Sequence, residues 1–137
     1  MSATDTHPAI PESAYRLLEA PHFATIATTQ PDGTPQQTVV WLKRDGNDVL
    51  FSTIRGRRKT LNMERDPRIS VMVYDSENPY AYVEIRGTVS MTEEGGDDLI
   101  HELSHLYTGA RFPGDDGTDH VRVVCRVTPT TVITRAL

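Results

Sequence analysis

Cysteine is almost missing from this chain. With a single one, Cys125, among 137 residues, an internal disulfide and a cysteine-rich metal centre are both excluded. Cys125 sits in the alternating stretch VRVVCRV, where a buried structural thiol is expected, because reactive cysteines need an exposed, electropositive setting. Long apolar runs are missing too. None exceeds the four residues of VVWL, far too few to cross a bilayer as a helix. The opening MSATDTHPAIPES has neither the basic nor the apolar region of a signal peptide, so a cytoplasmic protein with no membrane association is expected. Positive charge is in deficit: the formal net charge is -5, which argues against nucleic-acid binding, whose footprint is a basic face. Neither the G-x-x-x-x-G-K-[ST] loop nor G-x-G-x-x-G after a strand occurs.

What is there reads as one soluble domain. Hydrophobic residues are 37% and charged residues 24% of the chain, the profile of a globular protein, and the length suits one core. A disordered tail over residues 1–11 and a single domain over 12–137 are expected. HFATIATT (22–29), QQTVVWLKR (36–44) and VLFSTI (49–54) are rich in β-branched and aromatic residues and are separated by Pro-Asp-Gly and Asp-Gly turns, which predicts a three-stranded meander. GRRKTLNMERDP lacks a β-branched run and stops at Asp66-Pro67, a helix followed by its breaker. RISVMVYD (68–75), YAYVEIRGTVSMT (80–92, with Gly87 as a bulge) and a strand from residue 120 onward, with a short one after Pro129, complete about six strands. A short helix is predicted over 13–19. Another lies in EEGGDDLIHELSHLYTG, where Leu99, Leu103 and Leu106 fall at helical spacing and Gly109 follows the end. The sum is a small β-barrel or barrel-like α+β domain.

Two clusters carry chemistry. HELSH (101–105) matches the zinc-hydrolase signature H-E-x-x-H, but its histidines lie off the leucine face. The positions where a metzincin needs glycine and a third histidine hold Thr108 and Arg111. A catalytic zinc needs that third ligand, so no metal site is expected. The stronger cluster is VLFSTIRGRRK, in which Ser52 and Thr53 end a strand and Arg55, Arg57, Arg58 and Lys59 follow at the start of a helix. Hydroxyls, guanidiniums and the free N–H groups of a first helical turn together suit an anionic ligand.

From Pro21 to Val89 the order HFATIATTQPDGTPQQTVVWL, VLFSTIRGRRKTLNMERDPRISVMVYD and YVEIRGTVS, with VRVVCRVTPTTV near the end, resembles the pyridoxamine 5′-phosphate oxidase-like split β-barrel superfamily of flavin and deazaflavin proteins. Within it, RGRRK-x-x-N-x-x-x-DPR-x-S is most similar to the branch of coenzyme F420-dependent reductases. The resemblance implies a mainly β (α+β) fold, an FMN-binding-like split barrel with peripheral helices. It implies a homodimer with cofactor sites at the interface. Ser52, Thr53, Arg58 and Lys59, with Arg55 and Arg57 beside them, would bind the cofactor phosphate; Gln36, Thr38, Val40 and Trp41 would line the ring; Tyr80 and Tyr82 would reach the partner's site.

The implied activity is hydride transfer between reduced F420 and an unsaturated or quinone-like small molecule. The cofactor itself performs that reaction and no catalytic dyad is required. F420 is favoured over FMN because its phosphodiester and oligoglutamate tail match a dense cation cluster, which Arg65 and Arg68 would extend. The alternatives are an FMN-dependent oxidase-like protein and a non-catalytic carrier of flavin, deazaflavin or haem.

Overall fold

A computed structural model of the chain describes residues 8–19 and 21–137. Seven strands run β1 (Ala24–Thr29), β2 (Pro35–Val40), β3 (Leu42–Asp45), β4 (Asp48–Ile54), β5 (Arg68–Asp75), β6 (Asn78–Thr92) and β7 (Arg122–Arg135). Three helices accompany them: α1 (Tyr15–Glu19, entered through a 3₁₀ turn at Glu12–Ala14), α2 (Arg58–Arg65) and α3 (Gly96–Thr108). All strand pairs are antiparallel, in the order β2-β1-β5-β6-β7-β4-β3. This is the mainly β split barrel expected from the resemblance.

The order corrects the meander. QQTVVWLKR is not one strand: β2 pairs only with β1 and β3 only with β4, so the two lie at opposite edges of the sheet with Trp41 alone between them. The curled sheet is therefore closed by the covalent chain at Trp41 rather than by a ladder. The Tyr107 hydroxyl clasps this seam. It accepts the Leu42 N–H at 3.0 Å and donates to the His22 carbonyl at 2.6 Å, with the Leu42 carbonyl a second acceptor at 3.0 Å. Burial raises the Tyr107 pKa, which keeps the phenol neutral and able to donate.

Period-2 alternation fills the barrel. Ala24 and Ile26, Val49 and Phe51, Val71 and Val73, Val83 and Ile85, and Val123, Cys125 and Val127 face inward, while Leu17 and Leu18 of α1 join the same core. Full burial of each such aliphatic side chain contributes about 1.5–3 kcal/mol. β4 is covered on both faces, because α3 packs Leu99 and Leu103 on Leu50 outside the barrel. The α3 face differs from expectation at one position: Leu106 is 47% exposed and Ile100 is buried in its place. The Cys125 thiol is buried and its pKa is pushed up to about 12 by that burial, so it is inert as a nucleophile at neutral pH.

Two further expectations change. Residues 1–7 lie outside the described part, but the tail does not reach residue 11, because Ile10 is buried in the core and its N–H donates to Asn47 Oδ1 at 2.7 Å. β7 is one strand through Pro129 rather than two. Pro129 pairs with Gly87, and the register shift beside it leaves Thr130 as the extra residue on β7, its hydroxyl donating to the Arg86 carbonyl at 3.1 Å. A bulge is where a strand tolerates a residue with no N–H.

A Cβ on Gly87 would sit 2.1 Å from the Thr128 carbonyl oxygen, and backbone cannot yield as a side chain does. Gly87→Ala is expected to destabilise the protein by about 3 kcal/mol or more, read from the denaturant midpoint. Tyr107→Phe, which leaves the seam carbonyl and N–H without their shared partner, is expected to cost about 1–3 kcal/mol with secondary structure unchanged by circular dichroism.

Candidate functional site

The site begins with how α2 is held. Thr60 of α2 is fully buried; its hydroxyl donates to the Ile54 carbonyl at 2.7 Å and accepts from Thr53 at 2.9 Å. Asn62 is also fully buried and donates to Thr28 Oγ1 at 3.0 Å and Gln30 Oε1 at 3.1 Å; Thr28 in turn donates to Gln36 Oε1 at 2.6 Å. These buried polar groups satisfy one another and pin the helix to β1 and β4, as buried hydrogen-bonding groups must be satisfied. Its first turn, uncapped by any side chain, is thereby presented beside the end of β4.

There a cleft of about 350 Å³ opens, lined by Phe23, Val39, Val40, Trp41, Ser52, Arg57, Lys59, Ile100, Leu103, Phe112 and Arg122. The volume is that of a small-molecule site. One end is cationic, from Arg57, Lys59 and Arg122, with the Ser52 hydroxyl between β4 and β7. The other is apolar: Trp41 stacks on Tyr107 with centroids 5.5 Å apart and meets Phe112 edge-on at 6.1 Å.

Five residues expected at the site line this cleft: Val40, Trp41, Ser52, Arg57 and Lys59. The others do not, for identifiable reasons. Thr53 follows Ser52 on a strand and so points the other way, into the buried Thr60 pair. Gln36 and Thr38 stand opposite Thr28 and Ile26 in register, on the inward face of β2, and only the last two residues of that strand reach the cleft: Val40, buried, and Val39, 64% exposed on the outer face. The Thr38 hydroxyl is buried without a hydrogen-bond partner among the described residues.

Arg55 is bound to Glu64 at 2.6 Å and Glu93 at 3.0 Å, and Arg58 is exposed outside the lining. Arg65 donates to the Thr29 carbonyl and Arg68 pairs with Asp66 at 2.7 Å, so neither extends the cation cluster. Tyr80, 78% exposed, and Tyr82 lie near the start of β6 and outside the lining. His101 Nδ1 accepts the Phe112 N–H at 3.2 Å, and among the described residues no three His, Cys, Asp or Glu side chains gather as a metal site.

Arg122, Phe112 and Phe23 were not singled out from sequence. Arg122 is 70 positions from Ser52 yet donates to its hydroxyl at 3.3 Å, a proximity made only by the β4–β7 pairing. The one signal it carried was a cation at the start of an alternating strand.

Charge at the cationic end is only partly compensated, since Arg122 alone of the three pairs with a carboxylate, Asp115, at 2.7 Å. Among the described residues Lys59 has no acidic partner, and its pKa is lowered by burial first and then by the neighbouring Arg57 and Arg122 guanidiniums. A half-buried ammonium beside two other cations is an electrostatic cost that a bound anion removes. The arrangement can hold an anion at one end and a flat apolar group at the other.

Comparison with known proteins follows the same lines. A family model described as pyridoxamine 5′-phosphate oxidase matches residues 10–136. The pyridoxine/pyridoxamine 5′-phosphate oxidase of Rubrobacter xylanophilus is 35% identical over 89 residues, 64% of this chain and 41% of that protein. That of Kineococcus radiotolerans is 32% identical over 68 residues, 50% of this chain and 30% of that protein. The matches thus span less than half the length of these relatives. Among solved structures, an F420 reductase is 31% identical with a TM-score of 0.81, covering 90% of this chain and 98% of that one.

Lys59→Met keeps the stem and removes the unpaired charge. It is expected to raise stability by roughly 0.5–1 kcal/mol, seen as a higher thermal midpoint; added pyrophosphate is expected to raise the midpoint of the unaltered protein and to raise that of the variant less.

Proposed function

The chain belongs to the pyridoxamine 5′-phosphate oxidase family, and from that premise we propose that it is an F420-dependent oxidoreductase acting on an unsaturated or quinone-like small molecule. The observation that carries this reading is the cleft that joins stacked aromatic residues to a group of cations, of which Arg57 and Lys59 have no acidic partner among the described residues. The likeness to an F420 reductase over nearly the full length of both chains supports it.

The residues fit such a cofactor. Arg57, Lys59 and Arg122 would bind its anionic tail, Arg57 and Arg122 through planar guanidinium forks and Lys59 as a point charge. Ser52 would donate a further hydrogen bond. Trp41, Val39 and Phe112 would confine the flat ring, with Trp41 held in place by its stack on Tyr107. Reduced deazaflavin supplies the hydride when bound, so the protein's share is orientation and exclusion of water.

The substrate would approach from the open side, where Phe23 and Val39 are 61% and 64% exposed and share an adjoining hollow with Tyr74, 48% exposed. So much exposed apolar surface beside a cleft is suited to burial against a second copy of the chain. Such a homodimer would enclose the ring between subunits, with Tyr80 and Tyr82 contributed across the interface.

Fluorescence titration with F420, and separately with FMN, tests the proposal. F420 is expected to bind, and an Arg57→Ala, Lys59→Ala double variant to weaken it by about 100-fold or more, given about 1.5–3 kcal/mol for each charge-assisted contact. Binding of FMN alone would make the protein a flavin-dependent member of the family, and binding of neither would overturn the reading.

A further inference from the structure

The segment from Gly109 to Val121, between α3 and β7, has no regular secondary structure, yet it supplies Phe112 to the cleft. Most of its bonds are internal: Arg111 pairs with Asp116 at 2.6 Å, the Asp116 N–H donates to the Pro113 carbonyl and the Thr118 N–H to the Asp115 carbonyl. One side chain ties it to the barrel by charge. Asp115 accepts Arg122 Nε at 2.7 Å on one oxygen and Nη2 at 3.1 Å on the other. With Nε and Nη2 so engaged, Nη1 is the nitrogen that donates to Ser52. The Arg122 side chain is only 9% exposed, and its guanidinium carbon lies 4.9 Å from the centre of the Phe112 ring. Asp115 and Phe112 thus both hold the same guanidinium, and Phe112 in turn meets the edge of Trp41. The ring folds so tightly over Gly114 that a Cβ there would lie 2.5 Å from it.

We propose that Asp115 is a positioning residue for the cleft: by one bidentate ion pair it aims Arg122 at the anion end and, through the loop, sets Phe112 as the aromatic wall against Trp41. This rests on the reading of the cleft as a site for an anionic planar cofactor. The carboxylate does not attract such a ligand; as a negative charge near the anion end it repels one. Electrostatics alone therefore predicts that removing Asp115 tightens anion binding. Positioning predicts the reverse, because Arg122 loses its fixed orientation and Phe112 its support. The two accounts differ in sign. His120 Nδ1 lies 2.9 Å from the Asp115 oxygen that also accepts Arg122 Nη2, a second brace on the same carboxylate.

Asp115→Ala and Asp115→Asn in the full chain decide between them. F420 and FMN are titrated by fluorescence. Independently of any ligand, acrylamide quenching of Trp41, the only tryptophan, reports whether Phe112 still covers it. Asp115→Ala is expected to weaken cofactor binding by about tenfold or more and to raise the quenching of Trp41. Asp115→Asn, which keeps an acceptor oxygen for Arg122, is expected to recover most of both.

Arg122→Lys, which keeps the charge and loses the fork, is expected to reproduce the Asp115→Ala loss, with the double variant no worse than either single one. It serves also where Asp115→Ala fails to fold. Unchanged or tighter binding by Asp115→Ala with Trp41 quenching unaltered overturns the proposal. The Arg57→Ala, Lys59→Ala variant separates the two levels: if it loses binding while Asp115→Ala does not, only the positioning role fails; if it keeps binding, the reading of the cleft fails. Where neither cofactor binds, the quenching of Trp41 alone still decides whether Asp115 holds the wall.

Discussion

One stretch of chain has to serve both edges of a single sheet. β2 and β3 are consecutive, yet each belongs to a different edge, and the residue between them is Trp41. Closing the barrel there leaves a place with no ladder, where backbone groups must find other partners. The Tyr107 hydroxyl, reaching from α3, supplies one. That bond fixes α3 over the outer face of β4. It also sets the stack that holds Trp41, and the cleft opens along the same seam. The seam that lacks a ladder and the candidate cleft are the same place, as is usual where irregular backbone is positioned by a rigid scaffold.

Charge is distributed with the same economy. The chain is acidic overall, yet one cleft is cationic, because most arginines outside it are matched to carboxylates: Arg16 to Asp75, Arg55 to Glu64 and Glu93, Arg126 to Asp45 and Asp48. Exposed pairs of this kind contribute little to stability, typically about 0–1 kcal/mol. Their consequence here is selectivity, since they leave Arg57 and Lys59 as cations of the cleft without a carboxylate among the described residues. Arg122 is intermediate, matched on one side by Asp115 and open on the other.

Much of this was legible in the residues. The strands at 49–54 and 68–75, the helix ending before Pro67 and the helix ending at Gly109 follow from local periodicity, β-branched content and breakers, all of which act over a few residues. The basic cluster was legible as a candidate anion site for the same reason: its residues are neighbours in sequence. Less legible was which of its members take part. Alternation on β4 sends Ser52 outward and Thr53 inward, and on β2 sends Val39 outward and Thr38 inward. Composition cannot tell the two phases apart on β4, where both faces are covered, nor on β2, where the outer face carries the apolar Val39.

The sequence by itself determined most of the strand and helix content, the inert cysteine and the cationic segment after β4, because each depends on interactions between residues close along the chain; the bulge expected at Gly87 lies across from it, at Thr130 of β7. Only the tertiary structure decided that QQTVVWLKR divides at Trp41, that Arg55 is spent on Glu64 and Glu93, and that Arg122 and Phe112 complete the site. Those outcomes depend on contacts across long separations, such as the 65 positions between Leu42 and Tyr107 and the 70 between Ser52 and Arg122. A separation of that length becomes a contact only when the sheet has closed, and no local pattern encodes which partners closure will bring together.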